Sequence, residues 1–600
     1  MAELISTHIG FRVARVFDPV EAGALARDEA KMIDSTYSSA ERAAVRTVRE
    51  AGRTTVLIIG AGINGIATFR DLALQGVNVV LVERADFASG ASAASSHMVH
   101  GGIRYLENGE FRLVKESVQE RNGLLKTAPH YVKPLETTIP IYSTFSGLFA
   151  APLRFLRHRS GKPKERGAFL IKVGLVIYDT FSRDGGSVPR HRFHGRKKSL
   201  AELPALDPHI KYTATYYDAS MHDPERLALD VLQDGVQAHP QAHALNYIEA
   251  VGRTADGVVL RDRETGTEFA IMADVIVNAS GPWTDLTNEA LGITTRFMGG
   301  TKGSHIVLDH PDLLEATQGR EIFFEHDDGR IVLIYPLKGR VLVGTTDIEA
   351  DPRTAVVCTE EEVDYFFALI NHVFPTIPVS REQIVYRFSG IRPLPRHEDT
   401  APGFVSRDYR VEVDETGIVP VVSLVGGKWT TFRALGETLS DQVLDLIGQT
   451  RTVSTVGRAI GGGRDYPATT SARLAWLTQH LDGAGERAEE LLVRYGTRAA
   501  EVWSSIKEGP DAPLAGGALS TGELAWMVEH EHVVRLEDVV LRRTSIAFTG
   551  NVHAALLEEL ASELAMLLQW DENRRADEVA QTLELLTQMH GLTLGAPISG

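Results

Sequence analysis

An α/β fold with a separate helical C-terminal region is what this sequence predicts, and three observations carry the prediction. Residues 54–84 run strand, tight turn, helix, strand. Residues 245–430 hold short apolar strands punctuated by turn residues. From about residue 470 to 595 the apolar residues recur at helical spacing instead.

The elements follow in chain order. Residues 1–52 form an N-terminal extension. Its second half, SSAERAAVRTVREAG, has a helical pattern with Ser38 or Ser39 as the expected N-cap. TTVLIIG, AGING, IATFRDLALQG and VNVVLVER then make a βαβ unit, with Gly76 placed to end its helix. HALNYIEAV, GVVLRDR and TEFAIMADVIVNASG read as a meander ending in an apolar strand. GSHIVLDH, IFFEHDDGRIVLIYPL and GRVLVGTTD continue the strand-rich region, and residues 360–373 look helical. VPVVSLVGG is a buried strand running into a helix over KWTTFRALGETLSDQVLDLIG. Residues 53–450 thus form a core and residues 451–600 a helical domain, without internal repeats.

Composition bounds the function. A length of 600 residues predicts three or four domains. One cysteine, Cys358, excludes an intrachain disulfide framework and a cysteine-based metal cluster, and no metal site is expected. The N-terminus lacks the apolar run of a secretory signal, and no apolar run is long enough to span a bilayer. A formal charge of −17 argues against nucleic acid as a partner. The charge is uneven, however. Between Arg154 and Lys198, thirteen Lys/Arg face three Asp/Glu, interleaved with apolar stretches such as GAFLIKVGLVIYDTF. Such an island suits an anionic membrane surface, and equally a solvated loop.

Gly60, Gly62 and Gly65 form G-x-G-x-x-G between the first strand and its helix. The first permits a tight turn, the second lets backbone approach a pyrophosphate, and the third lets helix and strand pack closely. The diphosphate would sit at the helix N-terminus, where free N–H groups favour anions. Glu83 ends the next strand 21 residues after Gly62, placed to accept from ribose hydroxyls. The motif alone does not separate FAD from NAD. The segment SGASAASSHMVHGG favours FAD, because an extended flavin half needs backbone and small side chains such as Ser95 and Ser96 along it. Gly281 closes the later apolar strand. Gly427, Lys428 and Thr430 make a second strand–Gly-Gly–helix turn, whose helix N-terminus suits a reduced, anionic flavin.

SSHMVHGGIRYLE, ASGPWTD, KGSHIVL, VGTTD, FSGIRPL, SRDY and GGKWTTFR stand in this order. The chain thereby resembles the FAD-dependent glycerol-3-phosphate dehydrogenases and the related α-glycerophosphate oxidases, from about Thr54 to Trp570. WMVEHEHVVRLEDVVLRRT is similar to that family's C-terminal helical domain. Position 97 departs from the family, which usually has lysine where this chain has His97. The resemblance implies a Rossmann-type FAD domain of the glutathione-reductase kind, an inserted antiparallel-sheet substrate domain, and the C-terminal helices. It also implies oxidation of sn-glycerol 3-phosphate to dihydroxyacetone phosphate, with hydride passing from C2 to flavin N5 and electrons going to membrane quinone. That places the protein in the cytoplasm, peripheral on the inner face of the membrane.

Oxidising a secondary alcohol needs a base near its working pH and cations for the phosphate. By the resemblance, His100 is a candidate base near the flavin, and Arg104 and Tyr105 face the substrate. Arg392 lies beside flavin and substrate, while Arg407 and Lys428 match positions linked to phosphate or flavin contact. His305 competes with His100 as base, and equally reads as a strand histidine with a backbone partner. Asp347 and Asp223 read as orienting groups or as turn caps. The HEH of EHEHV has the wrong spacing for a metal site, and RLEDVVLRRT reads as amphipathic packing helix. Other readings stay open: another polyol phosphate such as a tetritol phosphate, an oxygen-using oxidase, or a non-catalytic flavin scaffold. A homodimer is one admissible assembly.

Overall fold

Uninterrupted apolar runs build the centre of the first sheet. In Arg53–Ile59 the residues Val56, Leu57 and Ile58 are fully buried, as are Val79, Leu81 and Val82 next to them. Strands apolar on both faces suit a parallel sheet covered by helices on both sides. The computed structural model shows this. It describes residues 41–102, 111–143, 189–325, 331–396, 409–417 and 419–592, with the isolated residues 171, 172, 175, 176, 178 and 179.

The sheet runs Ala242–Leu245, Val79–Val82, Arg53–Ile59, Glu268–Asn278, Val421–Val425, all parallel, with Arg410–Asp414 antiparallel at one edge. HALNYIEAV is therefore two elements rather than one meander strand. Ala242–Leu245 joins the parallel sheet, and Ile248–Thr254 begins the meander. The intervening Asn246 and Tyr247 break the strand because Tyr247 takes a left-handed φ of 58°.

The helix Ile63–Leu74 is wedged between two others. Gly235 of Pro224–Ala238 lets Phe69 approach, since a Cβ there would lie 2.8 Å from its ring. Gly436 of Phe432–Leu446 lets Ala67 approach to 3.0 Å in the same sense. The helix predicted near residue 40 spans Ala43–Ala51 and begins after Arg42, which caps it with no side-chain bond; Ser38 and Ser39 lie outside the described residues. Arg42 is drawn instead to Asn246, donating to its side chain at 2.7 Å. Val45 and Val48 bury against Leu57, Val80 and Leu245.

Among the described residues the second sheet has ten strands. Its path is Ile348–Glu349, Met298–Leu308, Arg340–Gly344, Ile331–Leu337, Glu321–Glu325, Val132–Ile141, Tyr212–Met221, Met98–Val99. Ile384–Pro395 pairs along Met298–Leu308, and Arg192–Gly195 along Tyr212–Met221. All its pairings are antiparallel except Glu321–Glu325 with Val132–Ile141. The chain enters this sheet as soon as it leaves the dinucleotide unit, through Met98 and Val99 paired with Ser220 and Ala219.

Helices follow from Thr470–His480 to Glu572–His590. Their core, including Leu524, Leu536, Leu557 and Leu560, is continuous with Met98, Tyr386 and Phe388 of the second sheet. Each fully buried leucine contributes about 2 kcal/mol by transfer from water. The region RLEDVVLRRT does pack, with Leu536, Val539 and Val540 fully buried, but it is not the amphipathic helix its pattern predicts. It is a short helix, Leu536–Asp538, continued by a π-helical turn, Val539–Arg543, and its Arg535, Arg542 and Arg543 are buried in ion pairs.

Candidate active site

The glycine turn is built as its motif requires. Gly60 has φ 103°, and a Cβ there would lie 2.7 Å from Ser280 Cα. A Cβ on Gly65 would fall 2.0 Å from the Gly60 carbonyl oxygen. Gly62 is the N-cap of Ile63–Leu74 and offers no side chain to cap it. Ile63 N–H instead donates to Ser92 Oγ at 3.0 Å. Glu83 accepts from Ala61 N–H at 2.8 Å and from Ala85 N–H at 3.1 Å. Burial raises the Glu83 carboxyl pKa, against the pull of those two N–H groups. A side-chain-free cradle, a helix N-terminus and an adjacent carboxylate fit the dinucleotide half of FAD.

The second glycine turn is brought to the same helix end. Gly427 has φ 114°, and a Cβ on it would meet Asn64 Nδ2 at 2.4 Å. Trp429 Nε1 donates to the Ser92 carbonyl at 2.9 Å. Lys428 is half-buried, Thr430 is buried, and the helix starts only at Phe432, four residues beyond Lys428. Gly281, with φ 62°, follows Ser280 beside Gly60. Ser92 thus ties both turns together. It is one serine among several in its segment, and nothing local in the sequence distinguishes it.

From Ala91 the chain crosses to the second sheet. Ala94 sits against Gly390, where an added Cβ would come 2.3 Å from the Ala94 Cβ. Ser95 Oγ accepts from His97 N–H at 3.3 Å. Tyr335 O–H donates to the Ser96 and His97 carbonyls at 3.2 and 3.0 Å. Ser96 Oγ bonds His305 Nε2 at 2.8 Å. The His305 ring stacks on Phe388, centroids 4.6 Å apart and 10° from parallel. Burial, then the Arg392 charge, hold its pKa well below the usual histidine value, so the ring is neutral. Its partner is thus a side-chain hydroxyl; among the described residues its ring has no backbone partner. His97 is a buried aromatic contact with φ 53°, its ring 5.0 Å from Phe548, and burial lowers its pKa to about 4.

Arg392 lies opposite Thr301 and over Gly303, where a Cβ would meet its guanidinium at 2.1 Å. It donates to Asp347 Oδ1 at 3.1 Å, to Thr345 Oγ1 at 2.9 Å and to the Thr346 carbonyl at 2.8 Å. Asp347 therefore orients Arg392. Asp223 likewise holds a cation, Lys338 Nζ, at 2.8 Å, and its side chain does not cap the helix it precedes.

His100 is half-buried at the end of Met98–Val99. The next residue, Gly101, donates its N–H to Asp218 Oδ1 at 2.8 Å. The same oxygen accepts from Arg121 Nη1 at 2.9 Å and from Tyr178 O–H at 2.7 Å. This buried triad was not foreseen, because its members are scattered along the chain. Arg104, Tyr105 and Arg407 lie outside the described residues. The structure thus brings Ser96, His305 and Arg392 together at the seam of the two sheets, and Gly60, Gly62, Gly65, Glu83, Gly281 and Gly427 at the dinucleotide turn.

Comparison with known proteins agrees. The family described as FAD dependent oxidoreductase matches residues 55–442, and the C-terminal domain of alpha-glycerophosphate oxidase matches residues 453–575. An aerobic glycerol-3-phosphate dehydrogenase of Escherichia coli K12 is 32% identical over 512 residues, covering 82% of this chain and 93% of its own. A glycerol-3-phosphate dehydrogenase of Synechocystis is 30% identical over 560 residues, covering 89% and 96%. The chain belongs to the FAD-dependent glycerol-3-phosphate dehydrogenase family. A D-erythritol 1-phosphate dehydrogenase of Brucella abortus is also similar, 31% identical over 534 residues, covering 86% and 97%. The X-ray structure of the Bacillus halodurans glycerol-3-phosphate dehydrogenase with FAD shares the fold, with TM-score 0.68 at 24% identity over 94% of this chain and 97% of that one.

In this member of the family, FAD is the cofactor that the glycine cradle fits. Among the described residues no group of three His, Cys, Asp or Glu is placed to hold a metal, and no helix is long and apolar enough to cross a membrane. His530 stacks on Trp526 at 3.7 Å, and His532 meets Phe87 edge-on at 5.4 Å, so the HEH motif is packing. Cys358 is buried, which pushes its thiol pKa up to about 12.

Proposed function

We propose that the chain oxidises the C2 hydroxyl of sn-glycerol 3-phosphate to dihydroxyacetone phosphate. The observation that carries this is the fixed Arg392, held by Asp347, Thr345 and Thr346 over Gly303 of the neighbouring strand, which also bears His305. A guanidinium preset in this way lowers the ordering cost of gripping an anionic oxygen. When bound, FAD supplies the two-electron acceptor for the carbon-bound hydride. His100 takes the hydroxyl proton in this reading. It is half-buried, whereas burial and a neighbouring cation make His305 a weak base. His305 instead holds Ser96, Lys428 with Arg104 and Arg407 completes the cation set around the substrate, and Tyr105 faces the substrate beside them.

The electron acceptor in this reading is membrane quinone, met at the inner face of the membrane through the basic island. Of that island Arg190, Arg192, Arg196, Lys197 and Lys198 are exposed. The similarity to a D-erythritol 1-phosphate dehydrogenase supports a second reading, the same chemistry on a tetritol phosphate. An anaerobic visible spectrum tests both. Bleaching of the flavin band by sn-glycerol 3-phosphate supports the first reading. Bleaching by D-erythritol 1-phosphate alone replaces it with the second, and a flavin that neither compound bleaches removes both.

A further inference from the structure

The C-terminal helices reach the cofactor half of the molecule through a buried carboxylate. Asp86 lies three residues after Glu83, in the loop that leaves Val79–Val82. Asp86, Arg543 and Asp538 are each 0% exposed. Asp86 Oδ2 accepts from Arg542 Nε and Arg543 Nη1, and Oδ1 accepts from Arg543 Nη2 at 3.0 Å. Arg542 also donates to Asp538 Oδ1 at 2.9 Å. Asn246 Nδ2 bridges the same parts, reaching Asp86 Oδ1 and the His532 carbonyl, both at 2.9 Å. Burial alone would raise the Asp86 pKa; the two guanidiniums outweigh it and hold the carboxyl well below the usual range.

The loop between the two acids is stiff. Glu83 and Ala85 are laddered to Leu245, Tyr247 and Ile248 by backbone bonds of 2.7–3.0 Å, and Ala88 N–H donates to the Ala61 carbonyl at 2.9 Å. Glu83 faces the glycine turn from one side of this loop, and Asp86 faces the arginines from the other. Ala61, the residue that Glu83 grips, is also the residue that closes the loop.

We propose that Asp86 and Arg543 are a positioning pair for the cofactor: docking of the C-terminal helices sets the 83–88 loop and so fixes the Glu83 carboxylate against the ribose of FAD. This rests on the assignment of Glu83 to the FAD ribose. Because coupling is reciprocal, bound FAD must tighten the Arg535–Thr544 turn in return. A purely structural ion pair would give no protection of 535–544 beyond the general stabilisation any bound ligand brings, and no loss of FAD affinity when the fork is removed.

Hydrogen exchange on full-length holoenzyme and FAD-stripped apoprotein tests this, alongside FAD affinity from flavin fluorescence. The parent protein is expected to show slower amide exchange over 535–544 when FAD is bound. Arg543→Lys keeps the charge and loses the fork, so it is expected to fold, to bind FAD at least five-fold more weakly, and to lose most of that cofactor-dependent protection. Equal exchange with and without FAD in the parent overturns the proposal, and so does parental FAD affinity in Arg543→Lys. Glu83→Gln separates the two levels of the argument. If it weakens FAD binding while Arg543→Lys does not, the ribose assignment stands and the coupling is wrong. If neither variant weakens binding, the ribose assignment itself fails and the coupling falls with it.

Discussion

The Tyr178 hydroxyl occupies the space that a side chain on Gly101 would need: a Cβ built on Gly101 falls 2.0 Å from Tyr178 Oη. Tyr178 cannot retreat easily, because its hydroxyl is bonded to Asp218 and lies beside Arg121 in a fully buried cluster. The backbone next to the candidate base is therefore held from below by three polar side chains. Gly101→Ala is expected to cost about 1–3 kcal/mol of stability through overpacking. It should also lower kcat by more than ten-fold, because His100 is displaced with it. Thermal melting and steady-state turnover check the pair of effects, and an alanine variant with parental kcat would show that the loop position is unimportant.

The assignment of roles to the two histidines has a direct consequence. His100→Ala is expected to lose about 10²–10⁴-fold in turnover, the usual contribution of general base catalysis. His305→Ala should lose less and should keep the pH profile, since a ring with so depressed a pKa titrates outside the working range. Near-normal turnover in His100→Ala, with loss in His305→Ala, would falsify the assignment.

Removing Asp347 should act through Arg392. Asp347→Asn loosens the guanidinium without deleting it. KM for the phosphorylated substrate is expected to rise several-fold, while turnover of a weak unphosphorylated analogue hardly changes. A parallel rise for both compounds would argue that Arg392 does not serve the phosphate.

Acid sensitivity follows from histidines kept neutral by burial. His97, His222, His532 and His590 each have a pKa lowered to about 4, with burial the largest cause. In the unfolded chain they protonate near pH 6.5. As pH falls from about 6.5 towards 4 the unfolded state therefore binds more protons, and stability declines by up to about 1.4 kcal/mol per pH unit for each ring. Urea unfolding between pH 7.5 and 5 should show this slope, and His590→Phe should flatten it. A midpoint that stays constant over that interval contradicts the account.

Membrane docking through the basic island predicts a graded loss of binding. Each exposed cation near an anionic surface contributes about 1 kcal/mol. Neutralising Arg196, Lys197 and Lys198 together should release the protein from anionic liposomes in co-sedimentation, with little effect on neutral ones. Unchanged sedimentation removes the basic segment from the docking surface.

What the sequence disclosed was what lies close together along it. Gly60, Gly62, Gly65 and Glu83 fall within one βαβ unit, so their spacing alone was enough to place them together at one turn, and the helix at Glu360–Val373 showed in its local pattern. Ser92 was hidden because any serine of its segment would satisfy a general rule. Asp218, Arg121 and Tyr178 were hidden because a buried triad has no local period. The most instructive failure is RLEDVVLRRT. Its spacing reads as an amphipathic helix, and the carboxylate that pairs with the buried Arg542 lies 456 residues away. Burial of a charge is a property of the pair, and no single segment reveals it.

The contact between Gly390 and Ala94 leaves no room for even one methyl group between the second sheet and the segment that enters it from the dinucleotide unit. A joint fitted so tightly cannot serve as a hinge. The strand that holds Gly390 and the segment that holds Ala94 must travel as one piece at this point. Heritable change meets the same obstacle: a bulkier residue at position 390 demands a matching retreat at position 94, so the two positions must drift together or not at all.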